Sequence, residues 1–417
     1  MVKYSQRDKK LQDKWQGLAD HIPVNDIQHN FDTAKREHEF FDKLYSNAAD
    51  KLEYVAYREE WFRRPKEFDP GEAPLAIVCE LVSTCNLSCS MCYTVTEEFQ
   101  NSVVGAQRMM PWPMVRAIVE EAAEIGVKSI LFSWRGESSL YRSRDEIGTL
   151  KRLSDALALA REKGILEVTC LTHGQTIEDD LIDGIVRAEP NWISISVDGL
   201  APVYNKIRTP KNRSADEYNA FEKATNTIKK MVACRERLGL SRPQIRTNTI
   251  FPAICDNPDA YIQHMRDIGV DWVTANEIMD FRGDELPIDA IVEDWACQYP
   301  FQRLTVSANG TVLPCTGAHN EEEGLALGKY WAGEIPAIQE PGPTPVSIRQ
   351  TPVNLMSAWH SPKIKKIRAM HQDNRRMDID PGCRNCRHGA KHHGLEWIPE
   401  DWDTEKMEWK EGAIWRE

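Results

Sequence analysis

The sequence has no run of about 18 consecutive apolar residues, the length a helix needs to cross a bilayer. A membrane-spanning helix is therefore excluded, and no membrane partner is expected. It also lacks a basic excess. Against 64 Asp and Glu stand 52 Lys and Arg, a formal net charge of −12 over 417 residues. A broad phosphate-binding surface is disfavoured by that balance, so nucleic acid is not the expected partner. The first residues, MVKYSQRDKKLQDKW, contain no apolar stretch followed by a small-residue cleavage site. Export is not indicated, and a cytoplasmic location is expected. Internal repeats and low-complexity tracts are absent as well, which leaves an ordinary globular chain long enough for two or three domains.

What the sequence does have is cysteine. Eleven thiols in a reducing compartment point to metal ligands, catalytic groups or buried apolar residues rather than disulfides. Their setting follows from the hydrophobic pattern. Residues 1–74 are highly charged, with apolar positions such as Leu11, Trp15 and Leu18 at roughly helical spacing. They read as a helical extension with little strand signal. From residue 76, six short apolar runs (76–82, 128–134, 167–171, 192–197, 244–250 and 271–276) alternate with stretches of helical period at 114–126, 149–164 and 217–239. Six βα units in series predict a parallel sheet, either an open doubly wound sheet or part of a barrel. After about residue 285 the alternation stops. Two short β runs around Asn309-Gly310 predict a hairpin, a Pro-rich stretch at 340–345 a loop, and 357–373 a helix. The last residues, 396–417, form a Trp-rich tail.

The strongest motif is Cys85-Asn-Leu-Ser-Cys89-Ser-Met-Cys92, directly after the first βα strand. With 11 cysteines, a given three-thiol spacing would arise by chance in about one chain in a hundred. Three thiolates on one loop can hold three irons of a [4Fe–4S] cube and leave the fourth iron open to a ligand. A structural zinc site is the bland alternative. Zinc sites usually display paired Cys or Cys/His spacing.

Placed after strand one of six βα units, this loop resembles that of the radical S-adenosylmethionine (radical SAM) superfamily, over about residues 76 to 280. The resemblance implies an α/β fold: a partial (β/α)6 barrel over 75–285, preceded by the helical extension 1–74. It also implies that the cluster binds S-adenosylmethionine and reduces it to a 5′-deoxyadenosyl radical, which abstracts a substrate hydrogen. Ser133-Trp134-Arg135-Gly136-Glu137-Ser138 resembles the family's Gly-Gly-Glu-Pro loop, with Arg135 in place of the first Gly and Ser138 in place of Pro. Only Gly136 and Glu137 carry over, as the place that receives the cofactor's amino group. Thr172-His173-Gly174 looks like the family's Thr-Asn-Gly. The strand ending Ser194-Ile-Ser196-Val-Asp198-Gly, followed by Arg208, resembles the segment that contacts the cofactor's carboxylate and ribose. Met91 stands where relatives often have an aromatic residue, with Tyr93 as a substitute.

A second group is Cys297, Cys315 and the pair Cys383 and Cys386. Four thiols in a two-plus-two arrangement can fully ligate a metal centre, and chemistry alone allows zinc or an iron–sulfur cluster. The spacing C-x12-G-x4-C with a following CxxC resembles the twitch domain, the shortened SPASM domain. That resemblance implies one auxiliary [4Fe–4S] cluster, held in a small C-terminal hairpin and helix domain over 286–395. Cys79, Cys170 and Cys234 read as buried hydrophobes. His388, His392 and His393 read as solvated. Cys255, in the loop after the fifth strand, is the candidate hydrogen-atom donor, with a structural thiol as its alternative.

The resemblance implies a radical oxidoreductase or epimerase acting on a small polar, carbohydrate-like substrate (a sugar, cyclitol or aminoglycoside-type molecule). An electron donor such as flavodoxin or ferredoxin would supply the reducing electron. Two alternatives stand beside this reading: a radical SAM maturase of a ribosomal peptide, and a zinc-binding scaffold or regulatory protein.

Overall fold

The computed structural model describes residues 28–30, 43–45, 47–97, 99–100, 108–211, 218–276, 278, 295–318, 321, 324–330, 351–379, 382–384, 386–389 and 402–410. Each of the six apolar runs forms a strand. Strand β1 (Gln28–Asn30) and helix α1 (Ala48–Glu67) precede them. Then come β2 (Ala76–Cys79), α2 (Trp112–Glu124), β3 (Ser129–Phe132), α3 (Leu153–Glu162), β4 (Glu167–Thr172) and α4 (Asp179–Arg187). They are followed by β5 (Trp192–Ser196), α5 (Ala201–Ile207), α6 (Ala220–Arg237), β6 (Gln244–Ile250), α7 (Pro258–Asp267) and β7 (Trp272–Asn276). Strands β2 to β7 pair in parallel in chain order, as expected of right-handed βα units.

Period-two alternation divides each strand between two environments. Ile77, Ile130, Val168, Ile193 and Ile245 enter the core beneath the helices. Val78, Leu131, Thr169, Ser194 and Arg246 line the concave interior. The helices present matching stripes: α2 buries Met114, Val115, Ile118, Val119 and Ala122, and α4 buries Leu181, Ile182, Ile185 and Val186. This i, i+3/i+4 spacing covers the outer face of the sheet. Cys79, Cys170 and Cys234 belong to that core. The result is a partial barrel whose interior is one continuous wall of alternate strand residues.

The C-terminal extension joins the barrel through the sheet itself. After α8 (Tyr299–Gln302), strand β8 (Arg303–Val306) runs parallel to β2, with Arg303 opposite Ala76 and Val306 opposite Cys79. It turns at Asn309-Gly310 into β9 (Thr311–Leu313), the predicted hairpin. The Asn309 carboxamide oxygen accepts from Thr311 N at 3.0 Å, and Gly310 takes φ +87°, which no β-carbon has to oppose. Strands β10 (Gly328–Tyr330) and β11 (Pro352–Val353) complete an eleven-stranded sheet. The helix expected over 357–373 is divided into α9 (Leu355–Trp359) and α10 (Pro362–Gln372). Ser361 caps α10 by accepting from Ile364 N, and Pro362 occupies its first turn.

Two features depart from expectation. The N-terminal extension contributes a strand as well as a helix, since β1 pairs antiparallel with β7. Its sequence, Gln-His-Asn, has no alternation to announce it. The tail is not a free appendage: β12 (Trp402–Asp403) and β13 (Glu408–Trp409) form a hairpin whose Trp402 and Met407 pack with Ile207 and Ala253, against Met91 of the first cysteine loop. Trp397, Trp415 and the 340–345 stretch lie outside the described residues.

Candidate functional site

The loop carrying the first three cysteines is stitched to the segment after α5. Ser88 N and Ser90 N donate to Thr209 O and Ile207 O at 2.7 and 3.3 Å, and Lys211 N donates to Asn86 O at 2.9 Å. From the tail, Met407 O accepts from Ser90 Oγ at 2.9 Å. This fixes Cys85, Cys89 and Cys92 around one pocket at the carboxyl ends of the strands, the end where open α/β sheets place their ligands. The thiols lie close to one another: Cys92 raises the pKa of Cys85, and Cys92 and Cys85 raise that of Cys89. Burial is the larger cause: it pushes the Cys85 thiol up to about 12 and the Cys89 thiol higher still. Three mutually opposed, desolvated thiols gain most from a cation that accepts them as thiolates.

The opposite wall of the pocket holds Gly136 and Glu137. A β-carbon on Gly136 would lie 2.2 Å from Val82 O and 2.7 Å from Thr84 O, so only glycine lets this loop approach the start of the cysteine loop. Glu137 is buried. Its carboxylate accepts from His173 N at 2.8 Å, Ser139 N at 3.0 Å and the Thr172 hydroxyl. Burial alone would raise the Glu137 carboxyl, but His173 and these donors outweigh it, and it lies below its usual range. Three bonds leave room for one more donor, because a carboxylate offers about four acceptor positions.

His173 ties this wall to the cysteine loop. Its Nδ1 accepts from Gln175 N at 3.0 Å, so Nε2 bears the proton and donates to Asn86 Oδ1 at 2.8 Å. Burial lowers its pKa, and the field of Glu137 only partly opposes this. On the third side stands Arg208. Its Nε donates to Asp198 Oδ2 at 2.6 Å, and its Nη1 is 4.0 Å from Cys89 Sγ. Burial works against the cation, but Asp198 holds it charged. Ser196 completes the wall, together with Met91 and Tyr93; the Tyr93 ring packs on Phe99 at 5.3 Å.

Two sequence-selected residues fall elsewhere. Ser194 shares a strand face with Ser196 but lines the barrel interior below the pocket. Cys255 lines neither cavity: it is buried in the core, and its Sγ donates to Pro252 O at 3.2 Å. Strand alternation identified the face for Ser194, but not its depth.

The residue whose role sequence reasoning missed is Arg135. It stands in the position of the family's first Gly, yet it is 5 % exposed. Its Nε and Nη2 engage both oxygens of Glu80 at 2.8 and 2.6 Å, and Nη2 also reaches Glu321 at 2.7 Å. Glu80 in turn accepts from Ala308 N, and Glu321 from Asn309 Nδ2. The guanidinium lies 3.9 Å over the Trp134 ring, and Trp134 Nε1 donates to Thr316 O at 3.0 Å. This pocket loop is thus bolted to the hairpin and to the residue after Cys315.

The second thiol group assembles from three segments. Cys297 and Cys315 are buried, and Cys383 and Cys386 are half-buried. All four interact: burial first, and then the neighbouring thiols, hold Cys297 and Cys383 well above the usual thiol range. Arg376 fixes the CxxC turn by donating to Cys383 O at 2.9 Å and Gly389 O at 3.0 Å. Cys297 N donates to His371 Nδ1 at 3.2 Å. A β-carbon on Gly317 would lie 3.6 Å from Cys315 Sγ and 3.7 Å from Cys386 Sγ, so this loop closes directly over the sulfurs. His388, expected in solvent, is instead half-buried against Tyr299, with ring centroids 5.2 Å apart. His392 and His393 lie outside the described residues. Among the described residues, no three His, Cys, Asp or Glu side chains are gathered tightly enough to chelate a single ion.

Residues 80–234 match the model of the Radical SAM superfamily. No curated protein sequence matches the chain significantly. Similar solved structures include BtrN in complex with AdoMet and 2-DOIA, at 15 % identity, covering 75 % of this chain and 92 % of BtrN with a TM-score of 0.42. SuiB of Streptococcus suis is 13 % identical, with 78 % and 74 % covered and a TM-score of 0.42. anSMEcpe with bound AdoMet is 11 % identical, with 76 % and 89 % covered and a TM-score of 0.48. Likeness at this level carries no argument about substrate.

Proposed function

We propose, from the radical SAM domain that this chain carries over residues 80–234, an enzyme that dehydrogenates a small polar substrate of the sugar, cyclitol or aminoglycoside type. Cys85, Cys89 and Cys92 would hold a [4Fe–4S] cluster, and Cys297, Cys315, Cys383 and Cys386 one auxiliary [4Fe–4S] cluster. When bound, the first cluster and S-adenosylmethionine supply one-electron reductive cleavage to a 5′-deoxyadenosyl radical, the agent of hydrogen abstraction. The observation that carries the reading is the convergence of three thiols, Gly136, Glu137, Ser196 and Arg208 on one pocket.

Each group has a task there. Glu137 has one acceptor position left for the cofactor's ammonium, and Gly136 lets that group come close to the backbone. Arg208, with Nε occupied by Asp198, retains N–H donors for the cofactor's carboxylate. His173 keeps the Glu137 wall and the cysteine loop in register, its backbone N donating to Glu137 and its Nε2 bonded to Asn86. Ser196 offers a hydroxyl to a ribose. A cluster held by Cys297, Cys315, Cys383 and Cys386 would supply the one-electron acceptor that, together with loss of the hydroxyl proton, turns a carbinol radical into a ketone.

Dehydrogenation is preferred to epimerisation because Cys255, the candidate hydrogen donor, lines neither the pocket nor the interior. The peptide-maturase alternative gains nothing from this geometry. The zinc-scaffold alternative has no support in the Radical SAM match over residues 80–234. Anaerobically purified protein should contain about eight irons per chain, from two four-iron clusters, and should convert S-adenosylmethionine to 5′-deoxyadenosine on reduction. Zinc without iron would refute the reading.

A further inference from the structure

Below the pocket, the partial barrel encloses a chamber of about 270 Å³, small-molecule size at the lower end of ligand cavities. Leu171 lines both spaces, so the chamber adjoins the three-cysteine pocket. Thr316, the residue after Cys315, lines it too. Its floor is α1, which presents Tyr54, Tyr57 and Trp61.

The charge of this chamber is opposite to that of the chain. Its lining contains three guanidinium groups, Arg58, Arg246 and Arg303, and one carboxylate, Glu167. Glu167 is already engaged by Ser129 Oγ at 2.9 Å and Trp192 Nε1 at 3.4 Å. Arg303 is the informative member. Its guanidinium stands 4.2 Å over Tyr299 and 4.7 Å over Trp61, yet among the described residues it has no ion pair or side-chain hydrogen bond, and its buried Nε has no partner. Arg246 is 4 % exposed; its Nε and Nη2 donate to Thr274 Oγ1 at 3.1 and 3.0 Å, and its group lies 5.2 Å over Trp192. Burial holds Arg246 down to about 9, against the field of Glu167, so it remains a cation at neutral pH.

Ring faces offset part of the desolvation of a cation, but Arg303 is half-buried and its buried Nε lacks an acceptor, which is costly. A planar fork of donors in a cavity is matched by an oxyanion. We propose that this chamber is the substrate site, and that it takes a small molecule bearing an oxyanion, carboxylate or phosphate, held by Arg303 with Arg246. The inference rests on the radical SAM reading for its chemistry. It narrows the substrate from polar to anionic, with the anion anchored at the floor and the reacting carbon held toward the pocket.

Anaerobic isothermal titration of the holoenzyme tests this, with inorganic phosphate and succinate as probes and myo-inositol as the neutral control. At least one anion should bind saturably, one per chain, while myo-inositol should not. Binding should weaken at least tenfold in Arg303→Gln and recover in part in Arg303→Lys. A phosphate response without succinate assigns a phosphorylated substrate, and the converse a carboxylate. Saturation by neither anion, or equal binding by Arg303→Gln, overturns the proposal. Should Arg303→Gln not fold, Arg246→Gln replaces it, with the same tenfold criterion. Reductive cleavage of S-adenosylmethionine is assayed on the same wild-type sample; its absence would refute the radical SAM reading, while the titration judges the anion site.

Discussion

The two thiol groups of this protein differ in how the chain builds them. Cys85, Cys89 and Cys92 come from one loop, border a pocket, and share it with Glu137 and Arg208. Cys297, Cys315, Cys383 and Cys386 come from three separate segments and are closed over by Gly317, His371 and the Arg376-braced turn. In the proposed reading, a three-ligand site beside charged groups binds something further, and a four-ligand site under packed loops is filled once and exchanges only electrons. The two are joined by a fixed bridge, Trp134 and Arg135 to Thr316, Glu80 and Glu321, so the contrast is one of roles within a single body.

The largest expected effect separates them. Replacing Cys85, Cys89 and Cys92 with Ala should cut 5′-deoxyadenosine formation to below about one part in a thousand, ~4 kcal/mol of barrier. About four irons per chain should remain, measured by iron analysis beside the cleavage assay. Loss of all iron would break the comparison by showing that the sites are interdependent. The complementary change, Cys383→Ala with Cys386→Ala, should leave cofactor cleavage within about tenfold of wild type, ~1.4 kcal/mol, while the oxidised product disappears from product analysis.

The bridge is tested by Arg135→Gly, which restores the residue expected from the resemblance. It should destabilise the protein by ~3–5 kcal/mol, because Glu80 and Glu321 are left buried without their cation; denaturant unfolding of the metal-loaded protein measures it. A neutral outcome would mean that the bridge holds nothing together. The smallest effect is expected from Gly136→Ala. Pushing a β-carbon against Val82 O should cost ~1–3 kcal/mol, read as weaker S-adenosylmethionine binding with the iron content intact.

Much of this was legible in the sequence because it is periodic or closely spaced. The six strands follow from apolar runs, the hairpin from Asn309-Gly310, and the pocket loop from three cysteines within a few residues. What was not legible depends on long-range pairing. Strand β1 has no pattern of its own and exists by backbone pairing to the edge strand β7. Arg135 looks like a lost glycine until Glu80 and Glu321, distant in sequence, are seen around it. The chamber is invisible for the same reason: Arg58, Arg246 and Arg303 come from three elements and line one cavity only in the folded partial barrel. Cys255 shows the converse limit, since a loop at the right end of the sheet can still turn its thiol into the core.

The central claim, one open and one closed cluster, is tested most directly by low-temperature electron paramagnetic resonance of the reduced protein with and without S-adenosylmethionine. The wild type should show two reduced-cluster signals, of which one changes when the cofactor is added. The Cys85, Cys89 and Cys92 to Ala variant should show a single signal that the cofactor leaves unchanged. A cofactor-induced change that persists in that variant would contradict the assignment.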